Sequence, residues 1–164
     1  METKIGTFAV KSGTLMVSDP CYGPGTRCHG QLQNVANGTW EAITTHKAVP
    51  GWGRRIALLS ARRSGVPDDG PWHLAAFRVG VDSGQAGIWD LPAYGWGEGE
   101  YGDKTTFYGK ACAGTDAEDG ASVMDGGVVS RSGYGDGSYR CSYQTGPKGK
   151  IVAVRVEFIG DDDE

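Results

Sequence analysis

Glycine interrupts this chain so often that a long helix has no room to form. There are 28 glycines among 164 residues, against a usual share of about 7 %. They follow no collagen-like period, and 5 Trp and 7 Tyr accompany them, so neither a triple helix nor a disordered chain fits. Glycine weakens the interior of helices and strands, but it admits the positive φ that tight turns need. The stretches between glycines are short, and several alternate apolar with polar side chains at the period of a strand.

The alternation is plain at Phe8 and Val10, at Leu15 and Val17, and along Ala75, Phe77, Val79 and Val81. It is clearest at Val152, Val154, Val156 and Phe158. Further short strands are expected within residues 31–35, 40–46, 54–63, 86–90, 105–113, 127–130 and 139–143, with 56–59 open to a short helix. Residues 114–126 read as a polar loop. Asn37-Gly38 carries the strongest hairpin signal. No alternating strand–helix order points to a parallel sheet. The expected fold is all-β: a single-domain antiparallel sandwich or barrel of about ten short strands with long Gly-rich loops. That domain spans residues 1–160, and residues 161–164 form an acidic tail. A chain this long buries roughly 70 % of its unfolded surface, so it needs no staple.

The formal net charge is −4, and Asp161, Asp162, Asp163 and Glu164 account for all of it. The neutral body argues against nucleic-acid binding, which needs a basic face. No apolar run approaches the ~20 residues of a membrane span. The opening residues lack the apolar region of a secretion signal, so the expected location is cytoplasmic, with Cys21, Cys28, Cys112 and Cys141 reduced. Cys21, Cys28 and His29 do not have the spacing of a standard zinc knuckle. His29, His46 and His73 sit in no nucleophile elbow.

Chemistry concentrates in Asp-bearing loops. Asp19 follows the strand 14–18, Asp82 closes the strand 73–82 with Ser83 next to it, and Asp136 lies in Ser132-Gly133-Tyr134-Gly135-Asp136-Gly137-Ser138-Tyr139. Asp90 is a fourth candidate. Where such strand ends converge, the carboxylates form one polar rim, and Asp19, Asp82, Ser83, Asp136, Ser138 and Tyr139 are its expected binding residues. Asp19, Asp82 and Asp136 are the expected ligands of any divalent cation, Ca²⁺ or Mg²⁺. The plainer reading is that each Asp caps its own turn. The aromatic, acidic loop 94–101 reads either as a lid or partner surface, or as a cover for the core.

In that order, Gly13-Thr14-Leu15-Met16-Val17-Ser18-Asp19-Pro20, Val81-Asp82-Ser83-Gly84 and the Ser132 to Tyr139 block resemble the uncharacterised bacterial family called domain of unknown function 4241. The resemblance implies one domain in a bacterial or phage setting, and no activity. The expected function is therefore a binding or interaction domain for a small ligand or protein partner. A divalent-cation-dependent hydrolase using the same carboxylates is the alternative, and turn-capping alone is the third reading.

Overall fold

Two antiparallel sheets face each other across an apolar core. The computed structural model describes residues 1–23, 30–95 and 102–160. Cys28, His29, residues 96–101 and the acidic tail 161–164 lie outside the described residues. In chain order the strands are β1 (Glu2–Val10), β2 (Leu15–Ser18), β3 (Gly30–Leu32), β4 (Gly38–Val49), β5 (Gly53–Arg63), β6 (His73–Val81) and β7 (Gln85–Asp90). A 3-10 turn, Leu91–Ala93, and the helix α1 (Phe107–Thr115) follow. Then come β8 (Ala121–Met124), β9 (Gly127–Arg131), β10 (Gly137–Thr145) and β11 (Ile151–Glu157).

The larger sheet runs β1-β4-β5-β11-β10-β6 and the smaller β3-β2-β7-β9-β8. The all-β sandwich expected from the glycine and alternation pattern is the fold observed. Phe8, Val10, Trp40, Leu59, Val79 and Val156 of the larger sheet meet Leu15, Val17, Ile88 and Val128 of the smaller one. The far face of the smaller sheet carries a second core. Met16, Trp89 and Val129 are covered there by Tyr94, Phe107 and Ala111. This second layer explains why β2 and β7 are buried on both faces rather than alternating.

Three local expectations are corrected. Residues 105–113 do not form a strand, because α1 occupies 107–115. Its start is fixed by Thr106, whose side chain accepts a hydrogen bond from Gly109 N–H at 3.0 Å, an N-cap arrangement. Its buried residues, Gly109, Ala111, Cys112 and Thr115, fall on one helical face. The loop expected over 114–126 contains β8, which pairs with β9 through the two-residue turn Asp125-Gly126. This is a hairpin signal of the Asp-Gly type. Asn37-Gly38, in contrast, is no hairpin. β3 pairs with β2 in one sheet and β4 with β1 in the other, so the chain crosses between sheets at this point. Asn37 Oδ1 is occupied with Gly13 N–H at 2.7 Å.

Candidate functional site

Strand registers decide which turns share an end of the sandwich. Ser18 at the end of β2 lies opposite Gly87, Gly137 opposite Val81, and Gln85 opposite Arg131. Glu157 pairs with both Arg140 and Leu58. The segment after β2, the β6–β7 turn, the β9–β10 loop and the β4–β5 hairpin tip therefore emerge together. Asp19, Asp82 and Asp136 come together there, on a single turn.

The turn Asp82-Ser83-Gly84 is held through its backbone donors. Asp19 is fully buried. Its Oδ2 accepts from the N–H groups of Asp82 (2.8 Å) and Ser83 (2.7 Å), and its Oδ1 from Ser83 Oγ (2.6 Å) and Cys21 N–H (2.9 Å). Asp136 Oδ1 accepts the next N–H, that of Gly84, at 2.9 Å. Three successive backbone donors of one turn are thus taken by carboxylates from two other loops. The Asp82 carboxylate is exposed and accepts from the Tyr22 hydroxyl. Burial of Asp19 without these donors would be very costly, which is why the turn and the carboxylate require each other.

Neighbouring side chains lock this arrangement. Tyr94 OH donates toward Tyr22 O at 2.5 Å and Asp19 O at 3.0 Å. Tyr139 OH donates to Gly135 O at 2.6 Å, and its ring stands edge-on to Phe158 with centroids 5.1 Å apart. Gly133 and Gly135 have φ of 63° and 114°, which lets the loop bend over Phe158 and Ile159. Ser138 is exposed, and its Oγ accepts from Arg78 Nε at 3.0 Å. Of the expected binding residues, Asp82, Asp136 and Ser138 reach solvent, Ser83 and Tyr139 are half-buried, and Asp19 is inaccessible. Asp90 stands apart, at the opposite end, capping the β1–β2 turn through Lys11 and Ser12.

Acid–base properties match a structural network. Burial, then Asp19 and Asp82, push the Cys21 thiol up to about 12, which leaves it protonated and a poor nucleophile. Burial and the adjacent Cys112 raise the Tyr108 phenol. Among the described residues no group of three His, Cys, Asp or Glu side chains is placed to hold a metal ion. Both oxygens of Asp19 are already occupied by hydrogen-bond donors. Ser83 Oγ donates to a carboxylate with no histidine between them.

Aromatic residues absent from the expected set stand on the same rim. Trp52, at the β4–β5 tip, is 52 % exposed and Tyr134 is 38 % exposed. Their rings meet edge-on at 4.9 Å, and the Arg55 guanidinium lies 5.3 Å from the Trp52 ring centroid. Their sequence signal is the one that marked Asp136: a single functional side chain between two glycines, in Gly51-Trp52-Gly53 and Gly133-Tyr134-Gly135. Comparison with protein-family models, with curated proteins and with solved structures gives no match to this chain.

Proposed function

We propose that this chain is a binding module whose recognition surface is the rim formed by the 82–84 turn, the 132–138 loop and the β4–β5 tip. One observation carries the reading. Carboxylates from two loops spend their hydrogen-bonding capacity on fixing a third loop, and that rigid platform presents Asp82, Asp136, Trp52 and Tyr134 outward. Preorganised loops lower the cost of binding. Exposed aromatics beside an arginine are the side chains that most often dominate interface energy. The Asp82 and Asp136 carboxylates add polar selectivity around them. The resemblance to domain of unknown function 4241 adds a bacterial or phage setting to this reading.

The test is retention of a partner or small ligand from the source cell's extract by the immobilised chain, compared with a Trp52→Ala/Tyr134→Ala double variant. Both side chains are exposed, so the variant keeps its unfolding temperature. The expected result is a defined species bound by the wild type and lost by the variant. Equal retention by both proteins would move the recognition surface away from this rim. A thermal shift with Ca²⁺ or Mg²⁺ that disappears in Asp136→Asn would favour the divalent-cation hydrolase instead.

A further inference from the structure

Beside the aromatic pair, a cavity of about 250 Å³ opens between the β4–β5 hairpin, the segment after α1 and the end of β9. Arg54, Arg55 and Arg131 line it together with Glu118, Asp119 and His46. Opposite charges that line one cavity commonly pair with one another. Here, among the described residues, the only cavity-lining group in an ion pair is Arg131, held loosely 3.9 Å from Asp116. Arg54, Arg55, Glu118 and Asp119 form none within 4.0 Å among the described residues.

Two of the arginines are oriented from behind. Arg55 Nε donates to Trp52 O at 3.1 Å while its guanidinium rests beside the Trp52 ring. Arg131 Nε donates to Thr115 O at 2.8 Å. The Nε of each guanidinium is thus taken, which orients it; Arg131 Nη2 lies 3.9 Å from Asp116, and the terminal nitrogens of Arg55 make no hydrogen bond among the described residues. Among the described residues Arg54 has no such internal partner. His46 also lines the cavity, and burial, then the nearby Arg54, lower the pKa of its imidazole.

This lining selects against simple ions. A site for an anion alone gains nothing from two carboxylates on its wall, and a site for a cation alone is opposed by three guanidiniums. A ligand carrying both charges satisfies both poles at once. The volume lies just below the roughly 300–1,000 Å³ of pockets that take drug-sized molecules. We infer that this cavity binds a small zwitterion of the free α-amino-acid class, with its carboxylate on the guanidiniums of Arg54, Arg55 and Arg131 and its ammonium on the carboxylates of Glu118 and Asp119. Three guanidiniums and two carboxylates line the cavity, so an acidic amino acid is preferred to a neutral one, and a basic one binds least.

The experiment is an NMR titration of the ¹⁵N-labelled chain with L-glutamate, L-alanine, L-lysine, acetate and methylammonium. Saturable shifts centred on the amides of His46, Arg55 and Gly120 are expected, in the affinity order glutamate, alanine, lysine. Acetate and methylammonium each lack one pole, and are expected to bind at least about tenfold more weakly than alanine. Arg54→Gln and Asp119→Asn each remove one charge from the lining at an exposed position, and each is expected to weaken alanine binding about tenfold. Absence of saturable shifts, shifts centred elsewhere, or acetate binding as well as alanine would overturn the inference. The single-pole comparison uses wild-type protein, so it decides even where a variant does not fold. The rim reading fails separately, through Trp52 and Tyr134.

Discussion

Asp19 shows how much one side chain can hold when water is excluded. Four donors from three different residues converge on its carboxylate, and hydrogen bonds to a charged acceptor are each stronger than neutral ones. Asp19→Asn turns one acceptor oxygen into a donor that faces N–H groups. The expected loss is about 3 kcal/mol in urea unfolding. Asp136→Asn is the contrasting case. That side chain is exposed, accepts only from Gly84 among the described residues, and keeps an amide oxygen for the same bond, so its loss stays below about 1 kcal/mol. Comparable losses in the two variants would mean that Asp19 does not organise the turn. Cys21 supplies a second measurement at the same place. With the thiol held near 12, alkylation by iodoacetamide at pH 8 is expected to run roughly three orders of magnitude slower than for an ordinary thiol, whose pKa is about 8.5. Because its pKa is raised, the thiolate fraction grows only as pH rises well above 8. Removing one of the nearby negative charges in Asp82→Asn is expected to speed the reaction, as read by mass spectrometry of the Cys21 peptide.

Elements differ in how openly the sequence announces them. β6 and β11 were readable because apolar residues recur at every second position, although the first half of β11 is buried on both faces. The helix α1 was not. Its sequence from Phe107 to Thr115 contains Phe, Tyr, Cys and two glycines, a composition that favours a strand as much as a helix. What decides the matter is tertiary: the far face of the smaller sheet leaves Trp89 in need of cover, and Phe107 and Ala111 provide it. Gly109 records the same constraint. A Cβ built on it would lie 1.7 Å from the carbonyl oxygen of Asp103, which is backbone and cannot swing aside. On helix propensity alone, alanine would be better than glycine by about 1 kcal/mol. Here the expected sign is reversed: Gly109→Ala lowers the unfolding temperature, with a loss of about 2 kcal/mol. A stabilised variant would show that the Asp103 turn is not held against α1. β8 escaped notice because the polar run before it hides a four-residue strand, although Asp125-Gly126 marks its hairpin.

At the scale of the whole molecule, strand-end aspartates secure both ends of the sandwich, and this limits what the sequence pattern alone can mean. Asp90 is 6 % exposed and gathers Lys11 N–H (3.0 Å), Ser12 N–H (3.2 Å) and Ser12 Oγ (2.5 Å), much as Asp19 gathers the 82–84 turn. An aspartate after a strand therefore signals a held turn in either place. What separates the ends is the company each carboxylate keeps. Trp52 and Tyr134 touch across two loops at the Asp19 end, and no periodicity in the chain brings residues 82 positions apart into view. The candidate site was thus readable in its carboxylates but not in its aromatics, because convergence of loops depends on sheet order. The two ends supply a control for each other. Asp90→Asn is expected to cost about 2 kcal/mol, since it too leaves part-buried donors facing an amide. It is nevertheless expected to leave the amide signals of residues 82–84 and the Trp52 indole signal unchanged. Asp19→Asn is expected to move those signals at a temperature where both variants remain folded. Because stability falls in both, a change of the rim confined to Asp19→Asn would separate local organisation from general loosening. If Asp90→Asn moved the rim signals as well, the two ends would unfold as one unit, and the rim would not be an independently held platform.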